Sequence, residues 1–261
     1  MRNDFELIIR HFDGNDDIKV IPVADVHLGA AEHMAKEWGR FIDNVLSEPN
    51  TYLILAGDLI NNATRNSISN VFEETMRPRE QKIRMAQQLE PLKDRILCSI
   101  PGNHERRSRK DADDDPTYDI MCKLHLEDLY RENMAFLKLQ IGDIQGSGDR
   151  NPTYTFCIAH GNGSSIYTGA AGMMAERFGM AIDGIDGLIV GHVHKPSTYP
   201  VGKLLVDTRN NQVSIKPWRL VVASSWLNYS AYAAQKLLTP TVHCPQEILL
   251  AGKRKEIKVL M

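Results

Sequence analysis

The chain has 261 residues, 43% of them hydrophobic and 25% charged, and its formal net charge of -2 excludes a broadly basic surface while leaving room for a local basic groove. That length allows a substantial buried core, and no apolar run reaches the roughly 18 residues needed to cross a bilayer. The start, Met1-Arg2-Asn3-Asp4-Phe5-Glu6, lacks the charged and apolar regions of a signal peptide, and Cys98, Cys122, Cys157 and Cys244 form no Cys-x-x-Cys pair, so a reducing, cytoplasmic setting without disulfides or a membrane partner is expected.

In chain order, Phe5 to Phe12 and Ile18 to Ala24 are β-type runs, and the Asp13-Gly14 start of the segment between them predicts a hairpin turn. Ala35, Trp38, Phe41, Ile42, Val45 and Leu46 recur at helical spacing, which predicts a helix from Glu32 to Leu46. Thr51 to Ala56 is a continuous apolar run of the kind a strand buried on both faces requires. Residues 66–90 read as two helical pieces broken at Arg77-Pro78, with Pro91 ending the second, and Arg95 to Ile100 as the next buried strand. Ser108 to Pro116 is polar without periodicity and reads as a loop; Thr117 to Tyr130 reads as a helix. Strands follow at 134–141 and 153–160, a short helix from Ala170 to Ala181, and a strand over Leu188-Ile189-Val190.

From about residue 198 the pattern turns to hairpins. Leu204 to Val206 and Val213 to Ile215 flank the 209–211 turn, Arg219 to Ala223 reads as a further strand, and Glu247 to Leu250 and Glu256 to Leu260 flank Gly252-Lys253-Arg254-Lys255. Strands alternating with helices and then followed by strands predict an α/β (or α+β) fold, two sheet layers with helices outside, in one domain spanning 1–261.

Five polar clusters fall at or just after predicted strands: Asp25-x-His27, Gly57-Asp58, Gly102-Asn103-His104-Glu105, His160-Gly161 and Gly191-His192-x-His194. In an α/β sheet, that placement gathers them at the carboxyl edge, where ligands bind. Carboxylates, an amide and imidazoles together suit borderline divalent metals such as Mn, Fe, Zn or Co. The seven side chains Asp25, His27, Asp58, Asn103, His160, His192 and His194 exceed what one ion takes and fit two ions sharing a carboxylate, for which Asp58 is the candidate.

The set resembles the calcineurin-like metallophosphoesterase family over positions 20–194, with all five family motifs in order. The resemblance implies a two-sheet β-sandwich flanked by helices and a hydrolase of phosphoester bonds. Asp25, His27, Asp58 and His194 would hold one divalent ion, and Asp58, Asn103, His160 and His192 the other, with Mn²⁺ first among the candidates. A hydroxide held between the ions would attack phosphorus in line, while His104 contacts the phosphate and protonates the leaving oxygen. Many family phosphatases carry an Asp-Arg pair after Gly-Asp, where this chain has Gly57-Asp58-Leu59-Ile60-Asn61-Asn62. Asp25-x-His27-Leu28-Gly29 and the Gly102-Asn103-His104-Glu105 run also resemble, more loosely, the family's double-strand-break-repair nucleases.

Three readings follow: a phosphodiesterase acting on a nucleotide or on DNA or RNA, a phosphomonoesterase, or a non-catalytic subunit that keeps the fold. Oligomeric state is not encoded in these motifs. Arg106-Arg107-Ser108-Arg109-Lys110 offers a grip on a polyanion, but Asp111-Ala112-Asp113-Asp114-Asp115 follows at once, and a self-neutralised solvated loop is the plainer expectation. His11, His33, His125 and His243 are isolated and read as structural. Gly172-Met173-Met174-Ala175, Trp218 and Trp226 read as core.

Overall fold

A computed structural model describes residues 4–64, 67, 71–142, 151–163, 169–229, 233–234 and 239–261, apart from the side chains of 170, 171 and 174. Among the described residues, eleven strands are arranged in two sheets. β1 (Leu7–Phe12), β5 (Met134–Ile141), β6 (Thr153–Ala159), β7 (Gly187–Val190), β9 (Gln212–Val222) and β8 (Ser197–Asp207) form the first, in that order across the sheet. β11 (Ile257–Leu260), β10 (Glu247–Leu250), β2 (Ile18–Val23), β3 (Thr51–Leu55) and β4 (Ile96–Ser99) form the second. Both sheets are mixed: β2, β3 and β4 run parallel in one, and β6, β7 and β9 in the other.

The two sheets share one apolar interior. Val20, Leu53 and Ile96 of the second sheet belong to the same buried cluster as Leu137, Phe156 and Ile189 of the first. Helices α1 (Ala35–Ser47), α2 (Pro78–Leu89) and α4 (Pro116–Lys123) add Trp38, Met85 and Ile120 to it. α5 (Ala170–Met180) covers the other face of the six-stranded sheet, above a second cluster around Leu188, Trp218 and Val222. It lies close because Gly172 and Gly179 carry no Cβ: one added there would sit 2.7 Å from the Tyr199 ring or 2.4 Å from the Trp218 ring. The chain is a two-sheet sandwich flanked by helices, as the resemblance implies.

Several local expectations fail for identifiable reasons. Asp13-Gly14 makes no hairpin, because β1 pairs in parallel with β5 while β2 sits in the other sheet; the turn crosses between layers. Arg77-Pro78 is a helix start, with Pro78 in the first turn of α2 where its missing N–H costs nothing. Of the first helical piece expected over 66–76, residues 66 and 68–70 lie outside the described residues, and Val71–Glu73 is a single 3₁₀ turn. Pro91 likewise begins a 3₁₀ stretch, Glu90–Arg95. The helix expected from Thr117 to Tyr130 stops at Lys123. Arg219 to Ala223 is no separate strand, but the end of the long β9.

The largest correction concerns the expected loop at Ser108 to Pro116. Asn103–Ala112 is helix α3, so the basic run lies on a helix that begins in the candidate site. Two of the acidic residues after it have partners outside the basic run: Asp114 pairs with Lys82, and Asp115 caps α4 at the Tyr118 N–H and accepts from the Tyr130 hydroxyl, while Arg109 pairs with Glu132. Trp218 and Trp226 are buried in the core as expected, but Met173 is exposed. All four cysteines are free thiols, and burial pushes those of Cys98 and Cys157 up to about 12. No helix among the described residues is long and apolar enough to cross a membrane.

Candidate active site

The five polar clusters follow the carboxyl ends of five parallel strands, three from one sheet and two from the other. Asp25 follows β2, Asp58 follows β3, Asn103 follows β4, His160 follows β6 and His192 follows β7. Backbone bonds lace these ends together: Asp25 N–H to Gly57 O (3.0 Å), His27 N–H to Asp58 O (3.0 Å) and Gly191 N–H to His160 O (3.0 Å). Close approach is possible because Gly102 has no side chain; a Cβ there would lie 2.0 Å from Asp58 Oδ1.

The backbone is strained where the chemistry sits. Asp25, His27, Asp58, His192 and His194 have φ of 54°, 47°, 52°, 70° and 53°. Left-handed residues other than glycine are uncommon, cost on the order of 1–3 kcal/mol each, and gather at functional sites. Here five of the seven expected ligand residues hold that conformation, and the interlocking backbone bonds keep them there.

The structure brings all seven together, with His104 beside them. His194 Nε2 lies 3.2 Å from Asp25 Oδ1 and 3.3 Å from His27 Nε2. Asp58 Oδ2 is 3.2 Å from His160 Nε2, 3.8 Å from His27 Nε2 and 3.9 Å from His104 Nε2. Asn103 Oδ1 is 3.1 Å from His160 Nε2 and 2.6 Å from His192 Nδ1. Three groups of potential ligand atoms result: Asp25, His27 and His194; His27, Asp58 and His104; and Asp58, His160 and His192. Asp58 joins the second to the third.

Hydrogen bonds at the far side of each ring fix which nitrogen faces the centre. His160 Nδ1 donates to Ala56 O (2.8 Å), His104 Nδ1 to Asn61 O (2.8 Å) and His192 Nε2 to Gly163 O (3.0 Å). A carbonyl only accepts, so the opposite nitrogen of each ring is the one aimed inward. His192 Nδ1 thus presents a lone pair to the Asn103 amide oxygen, another acceptor. Two acceptors 2.6 Å apart call for a shared proton or a metal cation between them.

Asp25 and Asp58 are fully buried, and their close ionic neighbours are the imidazoles of His27, His160 and His194, with the Arg107 charge acting on Asp58 as well. Burial works against both carboxylates, but the surrounding imidazoles, His194 for Asp25 and His160 for Asp58, hold them well below the usual range. Burial also opposes charge on His160, yet Asp58 drives its imidazole up to about 10. His104 goes the other way, pushed down to about 3 by burial and the neighbouring His27. Buried carboxylates of this kind are paired or coordinate metals, and the donor set of carboxylate, imidazole and amide oxygen fits divalent cations.

Glu105 is the residue that the motif reading quoted without a task. Buried, it accepts three backbone N–H groups: Asp58 (3.0 Å) and Gly102 (2.8 Å) on Oε2, and Ile60 (3.1 Å) on Oε1. It therefore pins the β3 and β4 loops to each other. Burial and Asp58 raise its carboxyl to about 7. Glu105→Gln replaces one acceptor oxygen with an NH₂ facing a donor, and is expected to cost about 1–3 kcal/mol of stability. Urea unfolding checks this, and an unchanged midpoint would show that the three bonds contribute nothing.

Other expected bystanders are structural. His33 Nδ1 bonds Val26 O (2.8 Å), and His243 packs at a tilt against Trp226 with its Nδ1 2.8 Å from Ser225 O. Asn61 donates to Glu74, and Asn62 donates to His104 O and Ser108 Oγ, so the pair standing where phosphatases carry Asp-Arg serves to hold α3.

The sequence profile described as calcineurin-like phosphoesterase matches residues 18–196. The chain belongs to the calcineurin-like phosphoesterase family. Members of this phosphoesterase family are hydrolases that bind a dinuclear metal site, and the His/Asp clusters described above occupy the matched region. Among solved structures, the chain is similar to the calcineurin-like phosphoesterase YfkN from Bacillus subtilis, at 11% identity and a TM-score of 0.40, covering 94% of this chain and 91% of that one. It is also similar to the Haemophilus influenzae NAD nucleotidase NadN, at 10% identity and a TM-score of 0.41, covering 94% of this chain and 49% of that one, so it spans about half of that protein. No curated protein sequence matches it.

Proposed function

We propose that this phosphoesterase hydrolyses phosphodiesters, nucleotides or nucleic acid among them, with two divalent ions, Mn²⁺ first. Asp25, His27, Asp58 and His194 would hold one ion and Asp58, Asn103, His160 and His192 the other, with Asp58 shared. The observation carrying this reading is the convergence of carboxylate, imidazole and amide ligand atoms on one centre, above all Asn103 Oδ1 and His192 Nδ1 at 2.6 Å. When bound, such ions polarise a phosphoryl oxygen and lower the pKa of a water to make a nucleophile near neutral pH.

The chain's own groups do the rest. Asn61 O fixes the His104 ring through Nδ1 and leaves Nε2 facing the same centre as Asp58 Oδ2. That nitrogen is the group to carry a proton to the departing oxygen. The tied-up Asn61 and Asn62 favour a diester, because a monoester dianion has no arginine at that position to meet its extra charge. Four free thiols fit a reducing, cytoplasmic setting.

Purified protein, stripped with EDTA and reloaded with Mn²⁺, is expected to hydrolyse bis(p-nitrophenyl) phosphate faster than p-nitrophenyl phosphate. The stripped protein should turn over neither. Single- and double-stranded DNA, assayed in parallel, separate a nuclease from a nucleotide diesterase. Turnover of the monoester alone would overturn the diesterase reading.

A further inference from the structure

A cavity of about 290 Å³ opens directly beside the candidate active site, with His160 and Gly191 in its wall. Much of the remaining wall is apolar, with Ala159, Leu188 and Val190 from the six-stranded sheet and Ala175 and Phe178 from α5, while Asn133 and Asn162 add polar groups. None of these side chains is required by the phosphoester chemistry. Phe178 is exposed although it is large and apolar. The wall is well supported, since Gly172 and Gly179 seat α5 directly on Tyr199 and Trp218.

One edge of the cavity is polar. Arg106 lines it three residues after Asn103 on α3, hence on the same helix face. Its Nη2 donates to Asn133 O (3.2 Å), while its Nε is buried with no partner among the described residues. A buried guanidinium N–H without an acceptor is costly until a ligand supplies one. The cavity thus combines apolar wall, an aromatic ring and one unmet donor, with His160 of the candidate active site in its lining. Those are the features that recognise a planar ring with acceptor atoms on its rim.

We infer that this cavity receives a nucleobase, attached through its sugar to the phosphoester bound in the adjoining candidate active site; the inference rests on the phosphoester reading above. It makes the substrate class nucleotidic and gives the α5 wall and Arg106 the task of selecting it.

The test uses the full chain with Mn²⁺ and two ligands that cannot be hydrolysed. One is adenosine with a methylenephosphonate methyl ester in place of its 5′-phosphate; the other is the same phosphonate ester on 1-O-methylribose. Calorimetry is expected to give about tenfold tighter binding of the adenosine compound, the scale that base–aromatic contact provides. Ala175→Phe, which fills the cavity, should bring the two affinities within about twofold by removing that contact. Arg106→Met should weaken only the adenosine compound, and decides the matter should Ala175→Phe fail to fold. Equal affinities in the wild-type protein, or a gap that survives in both variants, would overturn the inference alone. If neither phosphonate binds while a phosphoester is hydrolysed, this inference falls alone; if no phosphoester is hydrolysed either, the phosphoester reading falls and takes this one with it.

Discussion

Asp58→Asn is expected to lower phosphoester turnover by about 10³-fold or more while leaving the fold in place. Under the proposed reading, this carboxylate is the one shared ligand, so its loss weakens both cations at once. Lewis-acid stabilisation is worth several kcal/mol, and each 1.36 kcal/mol is a decade in rate. The substitution is mild for the backbone. Asparagine tolerates the left-handed φ of 52°, and its Oδ1 can still accept from the His104 N–H, as Asp58 does at 2.8 Å. His160 loses the partner that charges it and becomes neutral, which burial favours. Thermal melts without metal should therefore stay within a few degrees of wild type. Added Mn²⁺ should raise the melting temperature of the wild-type protein, because a ligand of the folded state stabilises it by mass action, and should leave that of Asp58→Asn almost unmoved. Two ions per chain in the variant, or undiminished turnover, would remove Asp58 from its proposed place.

The positions of these residues were legible because their signal is local. A short apolar run ending in Gly, Asp, Asn or His marks a buried parallel strand and the turn after it, and β3, β4 and β7 are such runs, buried at nearly every residue. Pairing is not local. Nothing in Asp13-Gly14 says that β1 lies beside β5, more than a hundred residues later, while β2 enters the other sheet. Helix α3 was hidden for a different reason. Of its residues only Glu105 and Ser108 are buried, and both are held by polar contacts: Glu105 by backbone N–H groups and Ser108 by Asn62. A helix anchored through hydrogen bonds carries no apolar stripe to read. Its one signal was spacing, with Glu105 third after Gly102 as in a capping box, where the acidic side chain returns to the N-cap N–H. The cavity beside His160 was equally out of reach, since Arg106, Ala175 and Leu188 meet only through packing.

His104→Ala is expected to have an effect that depends on the bond broken. General acid help is worth roughly 10²–10⁴-fold, but only when the departing oxygen needs a proton. Nitrophenolate leaves readily as an anion, so bis(p-nitrophenyl) phosphate should slow by about tenfold or less, whereas a dinucleotide, whose alkoxide is a poor leaving group, should slow by about 10³-fold. The environment of His104 sharpens this. Burial and the His27 ring hold its imidazole down at about 3, so in the free protein Nε2 is unprotonated at neutral pH. Asp58, 3.9 Å away, is too far to retain a proton there by hydrogen bonding. A bound phosphodiester changes the balance, because its negative charge next to Nε2 favours the imidazolium, as any anion beside a buried histidine does. Binding of the substrate thus favours uptake of a proton from water at Nε2, which then passes it to the leaving oxygen. Comparing wild type and His104→Ala across diesters of graded leaving-group acidity should give a steeper dependence for the variant. Parallel lines, with one uniform loss for nitrophenolate and alkoxide alike, would mean that His104 binds phosphate without moving a proton.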